Sequence, residues 1–167
     1  MTPPGVLFDQ FLNSIYCGKS IKIVETGCMR DLAVKSEYGD GWSTLYIARW
    51  VKKHPECWFQ TVDINPNAID LAKLALESEG LSKYCVFFQE DSLEFLKKSQ
   101  FIDFAFLDSC DGLQHALHEF YAAADAGAKL IVMDDFETKA KTAVSVAQQL
   151  GWTYEQNGRY SVLRRPN

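Results

Sequence analysis

The sequence has no Cys-x-x-Cys pair, and its five cysteines (Cys17, Cys28, Cys57, Cys85 and Cys110) are odd in number and scattered. Neither a disulfide framework nor a zinc site is indicated, and free thiols lead us to expect a reducing, cytoplasmic setting. No run approaches the roughly 18–20 apolar residues of a membrane helix. The segment from Met1 to Ile15 lacks the basic region and apolar run of a signal peptide. Basic residues are in deficit, 17 against 22 acids for a net charge of −5, which argues against a lysine- and arginine-rich phosphate-binding surface. Arg159, Arg164 and Arg165 form one local basic group and read as a solvated edge. Two phosphate motifs are also missing. There is no Gly-x-x-x-x-Gly-Lys-Ser/Thr run, and Gly27, after the first apolar run, does not begin a Gly-x-Gly-x-x-Gly fingerprint. The first absence excludes a P-loop, and the second leaves a nicotinamide-dependent oxidoreductase as a weak alternative.

What is present is an ordinary globular balance of 47% apolar and 23% charged residues over 167 positions, enough for one domain with its own core. Short β-branched runs alternate with helical patterns. The runs are Ile21–Val24, Trp58–Val62, Cys85–Phe88, Ile102–Leu107 and Lys129–Met133. Between them lie a helix over Trp42–Lys53 with Tyr46, Ile47, Trp50 and Val51 on one face, and another capped by Asn65-Pro66 and closed by Gly80. A short helix follows Asp91-Ser92. A further one over about Leu113–Ala124 sets Leu113, Leu117, Phe120 and Tyr121 on one side, and a last one spans Thr138–Leu150 with Ala140, Ala143, Val144 and Ala147 inward. Asn157-Gly158, between Trp152–Glu155 and Tyr160–Leu163, signals a hairpin. Five βα units and a hairpin predict an α/β fold: a doubly wound, mostly parallel sheet with a C-terminal antiparallel strand. With no repeat, linker or low-complexity tract, residues 1–167 are expected to form a single domain with its core over about 21–163.

In such sheets ligands bind beyond the carboxyl ends of the strands, where strand order switches. All five runs end at or near an acid: Glu25, Asp63, Asp91, Asp108 and the pair Asp134-Asp135. Acids are poor strand residues, so this placement points to a site. For Asp91 and Ser92, helix capping explains the same residue types equally well. Asp63, at the end of the second run, can accept both hydroxyls of a ribose.

These residues resemble the class I S-adenosylmethionine-dependent methyltransferases, in an O-methyltransferase-like branch. Glu25-Thr26-Gly27 resembles the acid-x-Gly of the first motif, and Gly41-Trp42-Ser43-Thr44-Leu45 the Gly-x-Ser-Thr start of the next helix. Val62-Asp63 resembles the ribose-binding acid, and Gln89-Glu90-Asp91-Ser92 the stretch beside the adenine. Asp108 and Met133-Asp134-Asp135 resemble the strand ends of the branch that includes metal-dependent enzymes. The resemblance spans about Ile21 to Leu163 and implies a Rossmann-like, seven-stranded methyltransferase fold.

It implies S-adenosyl-L-methionine as cofactor, held by Glu25, Gly27, Gly41, Ser43, Thr44, Asp63, Asp91, Ser92 and Asp108. Gly27 would let the backbone pass close to the ligand. Ser43 and Thr44 would offer N–H groups to its carboxylate. Asp63 would bind the ribose and Asp91 the adenine amino group. The stretch Cys28 to Asp40 is longer than the family's turn and is a candidate lid. Asp108, Asp134 and Asp135 are all-oxygen candidates for Mg²⁺, with capping and contact to the ligand as the plainer roles. Asp108 and His115 are the candidate catalytic residues. His115 and His118 lie three apart on one helix and serve as a base or simply sit on its surface. The expected partner is a small-molecule hydroxyl acceptor, not nucleic acid or a membrane. The oligomeric state stays open, a homodimer included, and so does a non-catalytic module of the same fold.

Overall fold

The computed structural model describes residues 3–30, 42–110 and 112–166. Seven strands, β1 (Lys22–Thr26), β2 (Trp58–Asp63), β3 (Val86–Gln89), β4 (Phe104–Leu107), β5 (Leu130–Met133), β6 (Thr153–Asn157) and β7 (Tyr160–Arg164), form one sheet in the order β3-β2-β1-β4-β5-β7-β6. The first five are parallel, and β7 runs antiparallel between β5 and β6. The order reverses beside β1, between β2 and β4, which makes this the switch point of the sheet.

Among the described residues six α-helices cover the two faces: α1 (Pro4–Asn13), α2 (Ser43–Lys53), α3 (Pro66–Ser78), α4 (Ser92–Lys98), α5 (Leu113–Asp125) and α6 (Lys141–Gln149). Strand residues alternate between two cores, as the period of two requires. Ile23, Phe104, Phe106, Leu130, Val132 and Val162 pack with α1, α2 and α3. Val24, Ala105, Leu107, Ile131, Met133 and Leu163 pack with α4, α5 and α6.

Several elements differ from the sequence expectation. Helix α1 was not anticipated. Its Leu7, Phe8, Phe11 and Leu12 are buried, at a spacing that is helical. Phe8 meets Phe106 and Tyr160 edge-on, so the helix closes the α2 side of the sheet. Helix α5 buries Ala116, Glu119, Phe120 and Ala123, while Leu113 and Tyr121 face outward. The small side chains allow a close approach to α4 and α6 that the larger leucines on the neighbouring face would block. The last helix starts at Lys141 and not Thr138, because a single π-helical turn, Phe136–Ala140, precedes it. The hairpin turn is shifted by one residue. Asn157 still pairs with Tyr160, and Gly158 (φ +63°) is the first of two loop residues, the place where a type II′ turn needs glycine.

The turn that leaves β1 is fixed by close backbone packing. Gly27 has φ +79°, its N–H donates to the carbonyl of Val62 (2.8 Å), and a Cβ there would lie 2.4 Å from the carbonyl oxygen of Asp108. Gly80 has φ +66° with nothing within 4 Å of such a Cβ. Gly80→Ala is therefore expected to cost only left-handed strain, about 1 kcal/mol. Gly27→Ala must also separate two strand ends and should cost at least about 3 kcal/mol. Chemical denaturation of the two variants measures the difference.

Candidate functional site

At the central strand end lies a buried carboxylate. Glu25 is fully buried on β1, facing α2. Its Oε1 accepts from Ser43 Oγ (2.6 Å), and its Oε2 accepts from Thr44 Oγ1 (2.7 Å) and Thr61 Oγ1 (2.8 Å). The Ser43 and Thr44 hydroxyls are thereby committed to Glu25 and do not cap α2, while their backbone N–H groups take no part in these bonds. Glu25 itself stands behind the site, not in it. Burial raises its carboxyl from 4.5 to about 7, against the opposing pull of the three hydroxyls.

In front of this support is a cavity of about 210 Å³ lined by Gly27, Val62, Asp63, Ile64, Asp91, Ser92, Ser109, Cys110 and His115. That is below the roughly 300–1,000 Å³ of a pocket enclosing a whole drug-sized ligand, so these walls enclose part of one. Asp63 is held by backbone donors: Cys28 N–H to Oδ2 (3.0 Å) and Asn65 N–H to Oδ1 (2.8 Å). Each carboxylate oxygen keeps further acceptor capacity toward the cavity.

Asp91 caps α4, its Oδ1 accepting from the N–H groups of Leu93 (2.9 Å) and Glu94 (3.1 Å). The capping role weighed for this residue is thus present, with its second oxygen unused by that cap. Ser92 Oγ lies 3.0 Å from His115 Nε2, so His115 is half-buried in the wall and does not sit on the helix surface; His118 is exposed. Sequence reasoning missed Ile64, exposed at the cavity mouth, and Ser109, whose buried Oγ has no hydrogen-bond partner among the described residues. Position was the available signal, since both directly follow a strand-end acid. Gly41 lies outside the described residues, as does most of the stretch Cys28 to Asp40.

Asp108, Asp134 and Asp135 do converge, but on cations from the chain itself. Lys139, on the π-helical turn and only 3% exposed, donates to Asp108 Oδ1. Arg159, from the hairpin turn, binds both oxygens of Asp134 and reaches Asp135 Oδ1 at 3.1 Å. Burial raises the carboxyl of Asp108, and burial together with the charge of Asp108 raises that of Asp134 to about 7. Asp135 takes a left-handed conformation (φ 47°), and its N–H donates to Asp134 Oδ1. Among the described residues no group of three or more acidic, histidine or cysteine side chains is arranged to hold a metal. Lys139 and Arg159 already supply positive charge to these carboxylates, so the arrangement does not favour Mg²⁺ as the group that draws them together.

No family model matches the chain, and no curated protein matches it in sequence. Solved structures do match in fold. Cofactor-bound Rv0187 from MTB aligns over 100% of this chain and 82% of its own, with a TM-score of 0.71 at 18% identity. The chain has the class I S-adenosylmethionine-dependent methyltransferase fold. An O-methyltransferase family protein from Burkholderia thailandensis aligns over 98% of this chain and 57% of its own (TM-score 0.62, 13% identity). MycE from the mycinamycin biosynthetic pathway, in complex with Mg and S-adenosylhomocysteine, aligns over 95% and 48% (TM-score 0.65, 14% identity). The chain thus spans about half the length of these last two methyltransferase-fold proteins. Among its described residues no helix is long and apolar enough to cross a membrane.

Two outcomes follow from the charged groups. The folded Glu25 carboxyl binds its proton more tightly than the unfolded one. Its contribution to stability is fully present below pH 4.5 and is lost as pH rises through about 7. The loss is about 3 kcal/mol for a shift of that size. Asp134 adds a loss of the same sign up to about pH 7, so Glu25→Gln should reduce, without abolishing, the fall in denaturation free energy between pH 4.5 and 7. For the second cluster, Mg²⁺ or a chelator should leave the thermal midpoint unchanged. Lys139→Ala, which leaves Asp108 unpaired, should cost about 3 kcal/mol in chemical denaturation.

Proposed function

We propose that the protein is an S-adenosylmethionine-dependent methyltransferase acting on a small-molecule hydroxyl. The observation that carries this reading is Asp63. Its carboxylate ends β2, next to the β1 strand that borders the switch point, is oriented by two backbone N–H groups, and lines a cavity bounded by the Gly27 turn. A carboxylate fixed in this way suits a ribose diol, whose two hydroxyls are donors. The orphaned Ser109 hydroxyl offers a further donor or acceptor on the opposite wall. Asp91, with one oxygen outside the helix cap, suits an exocyclic amine.

The cofactor supplies a methyl group on a reactive sulfonium, so the chain has chiefly to bind, align and exclude water. Asp63 fixes the nucleoside, and the Gly27 turn lets the ligand lie against backbone. His115 stands with Ser92 on the nucleoside wall, and for that reason we assign it to binding and not to catalysis. The acceptor proton, released as the hydroxyl oxygen bonds to the methyl carbon, falls to Asp108. Its backbone packs on Gly27, and Lys139 steadies its charge.

The deficit of basic residues favours a small acceptor. Proteins of this fold nevertheless include tRNA methyltransferases, so RNA belongs among the acceptors tested. The engagement of Asp108, Asp134 and Asp135 with Lys139 and Arg159 also suits a cofactor-binding module without turnover.

Calorimetric titration with S-adenosylhomocysteine should show binding to the wild type, and Asp63→Ala should weaken it by at least about tenfold, the loss of charge-assisted hydrogen bonds. Transfer of a labelled methyl group to hydroxyl acceptors, with tRNA in parallel, then separates enzyme from module. Absence of binding to folded wild type removes the reading.

A further inference from the structure

Glu119 has no role in the reading above, yet it is the least expected side chain on α5. It is 2% exposed in a helix face otherwise made of alanine and phenylalanine, and its Oε1 has no hydrogen-bond partner among the described residues. A carboxylate in such a place carries an uncompensated desolvation cost. The nearest charge-bearing partner is on the same helix one turn earlier: His115 Nε2, 3.6 Å from Oε1. That nitrogen is also the one 3.0 Å from Ser92 Oγ.

Which atom donates at the Ser92 contact depends on the His115 tautomer, and the Glu119 oxygen at 3.6 Å acts on that choice as a charge and not as a hydrogen-bond partner. An ionised carboxylate only accepts, so a bare Nε2 lone pair beside it would be repelled, and the proton belongs on Nε2. With Nε2 as donor, Ser92 Oγ at 3.0 Å is an acceptor in that contact, and its own hydrogen is free to point elsewhere. Ser92 lines the cavity beside Asp91. If Nε2 lacked its proton, the Ser92 hydroxyl would be consumed in donating to the imidazole. The other titratable groups facing His115 are Asp91, across from it on the cap of α4, and Asp63 and Cys110 on the remaining walls. The Glu119 carboxylate and, more weakly, Asp91 hold His115 above the ordinary histidine value, partly offset by burial.

We propose that buried Glu119 is a positioning residue that keeps the His115 proton on Nε2 and so turns the Ser92 hydroxyl into a hydrogen-bond donor for a ring nitrogen of the bound purine. The final step rests on the nucleoside ligand proposed above; the Glu119–His115–Ser92 arrangement does not. It is separate from the Asp108, Asp134 and Asp135 cluster, and its residues come from α4 and α5 alone.

Glu119→Leu tests it while keeping the fold, since Oε1 makes no hydrogen bond among the described residues and an apolar side chain of similar size suits a face made of Ala116, Phe120 and Ala123. Long-range ¹H–¹⁵N spectra of protein labelled at its three histidines (His54, His115 and His118) report the tautomer directly. The His115 signal is assigned by its loss in His115→Ala. The wild type should carry the proton on Nε2, and Glu119→Leu should move the neutral ring toward the Nδ1–H form. By calorimetry, Glu119→Leu should weaken S-adenosylhomocysteine about tenfold, the value of one hydrogen bond. Adding Ser92→Ala to it should change nothing more.

An Nδ1–H wild-type tautomer overturns the proposal, as does a Glu119→Leu protein that binds like the wild type, or additive effects of the two substitutions. A wild type with the Nε2 tautomer that takes no S-adenosylhomocysteine overturns the purine step together with the methyltransferase reading, and the tautomer spectrum distinguishes that failure from the others.

Discussion

The hydrogen bonds that Glu25 accepts from Ser43, Thr44 and Thr61 tie together the three elements on which the site depends. β1 supplies the carboxylate, β2 the threonine beside it in register, and α2 the first two residues of the helix. A buried carboxylate is tolerated only when its lone pairs are satisfied, so the start of α2 is held against the end of β1 by the cost of separating them. The same strand ends carry Gly27 and Asp63, and the cavity inherits its shape from this clamp. Little could shift there without exposing or orphaning Glu25.

Around that clamp the acids at the strand ends are used in three different ways. Glu25 is interior support, and Asp63 and Asp91 border the cavity with backbone donors fixing them. Asp108, Asp134 and Asp135 are drawn to the other side, where Lys139 and Arg159 engage them. The two cations arrive from irregular structure, a π-helical turn and a hairpin turn. Such turns can place a long basic side chain over a strand end that a regular helix would pass by. Charge compensation by the chain's own cations is the organising feature of this half of the site. It leaves Asp108 poised beside Gly27 with a carboxyl that burial makes more basic.

Much of the architecture was legible because it rests on local rules. Alternating β-branched runs, the Asn65-Pro66 cap and the Gly158 turn each act over a few residues, and the observed elements start and end within a few positions of those signals. Helix α1 carried a helical spacing in Leu7, Phe8, Phe11 and Leu12 but no flanking strand to give it context. The inward face of α5 holds the expected Phe120 and, partly buried, Leu117, but Leu113 and Tyr121 are exposed and Ala116 and Ala123 take their place, because large side chains outweigh alanines in any count of hydrophobicity. Close helix packing selects for small size instead.

The order of acids along the chain, and therefore the gathering of acids at the carboxyl edge of a parallel sheet, was determined by the sequence alone. The periodicity that makes a strand also fixes where it ends. Which acid faces what was decided only by tertiary structure. Ser43 and Thr44 turn inward to Glu25, Lys139 and Arg159 meet the three aspartates, and His115 meets Ser92 across two helices. These pairings join residues up to 31 positions apart, and their energies depend on burial and donor geometry that no local pattern encodes.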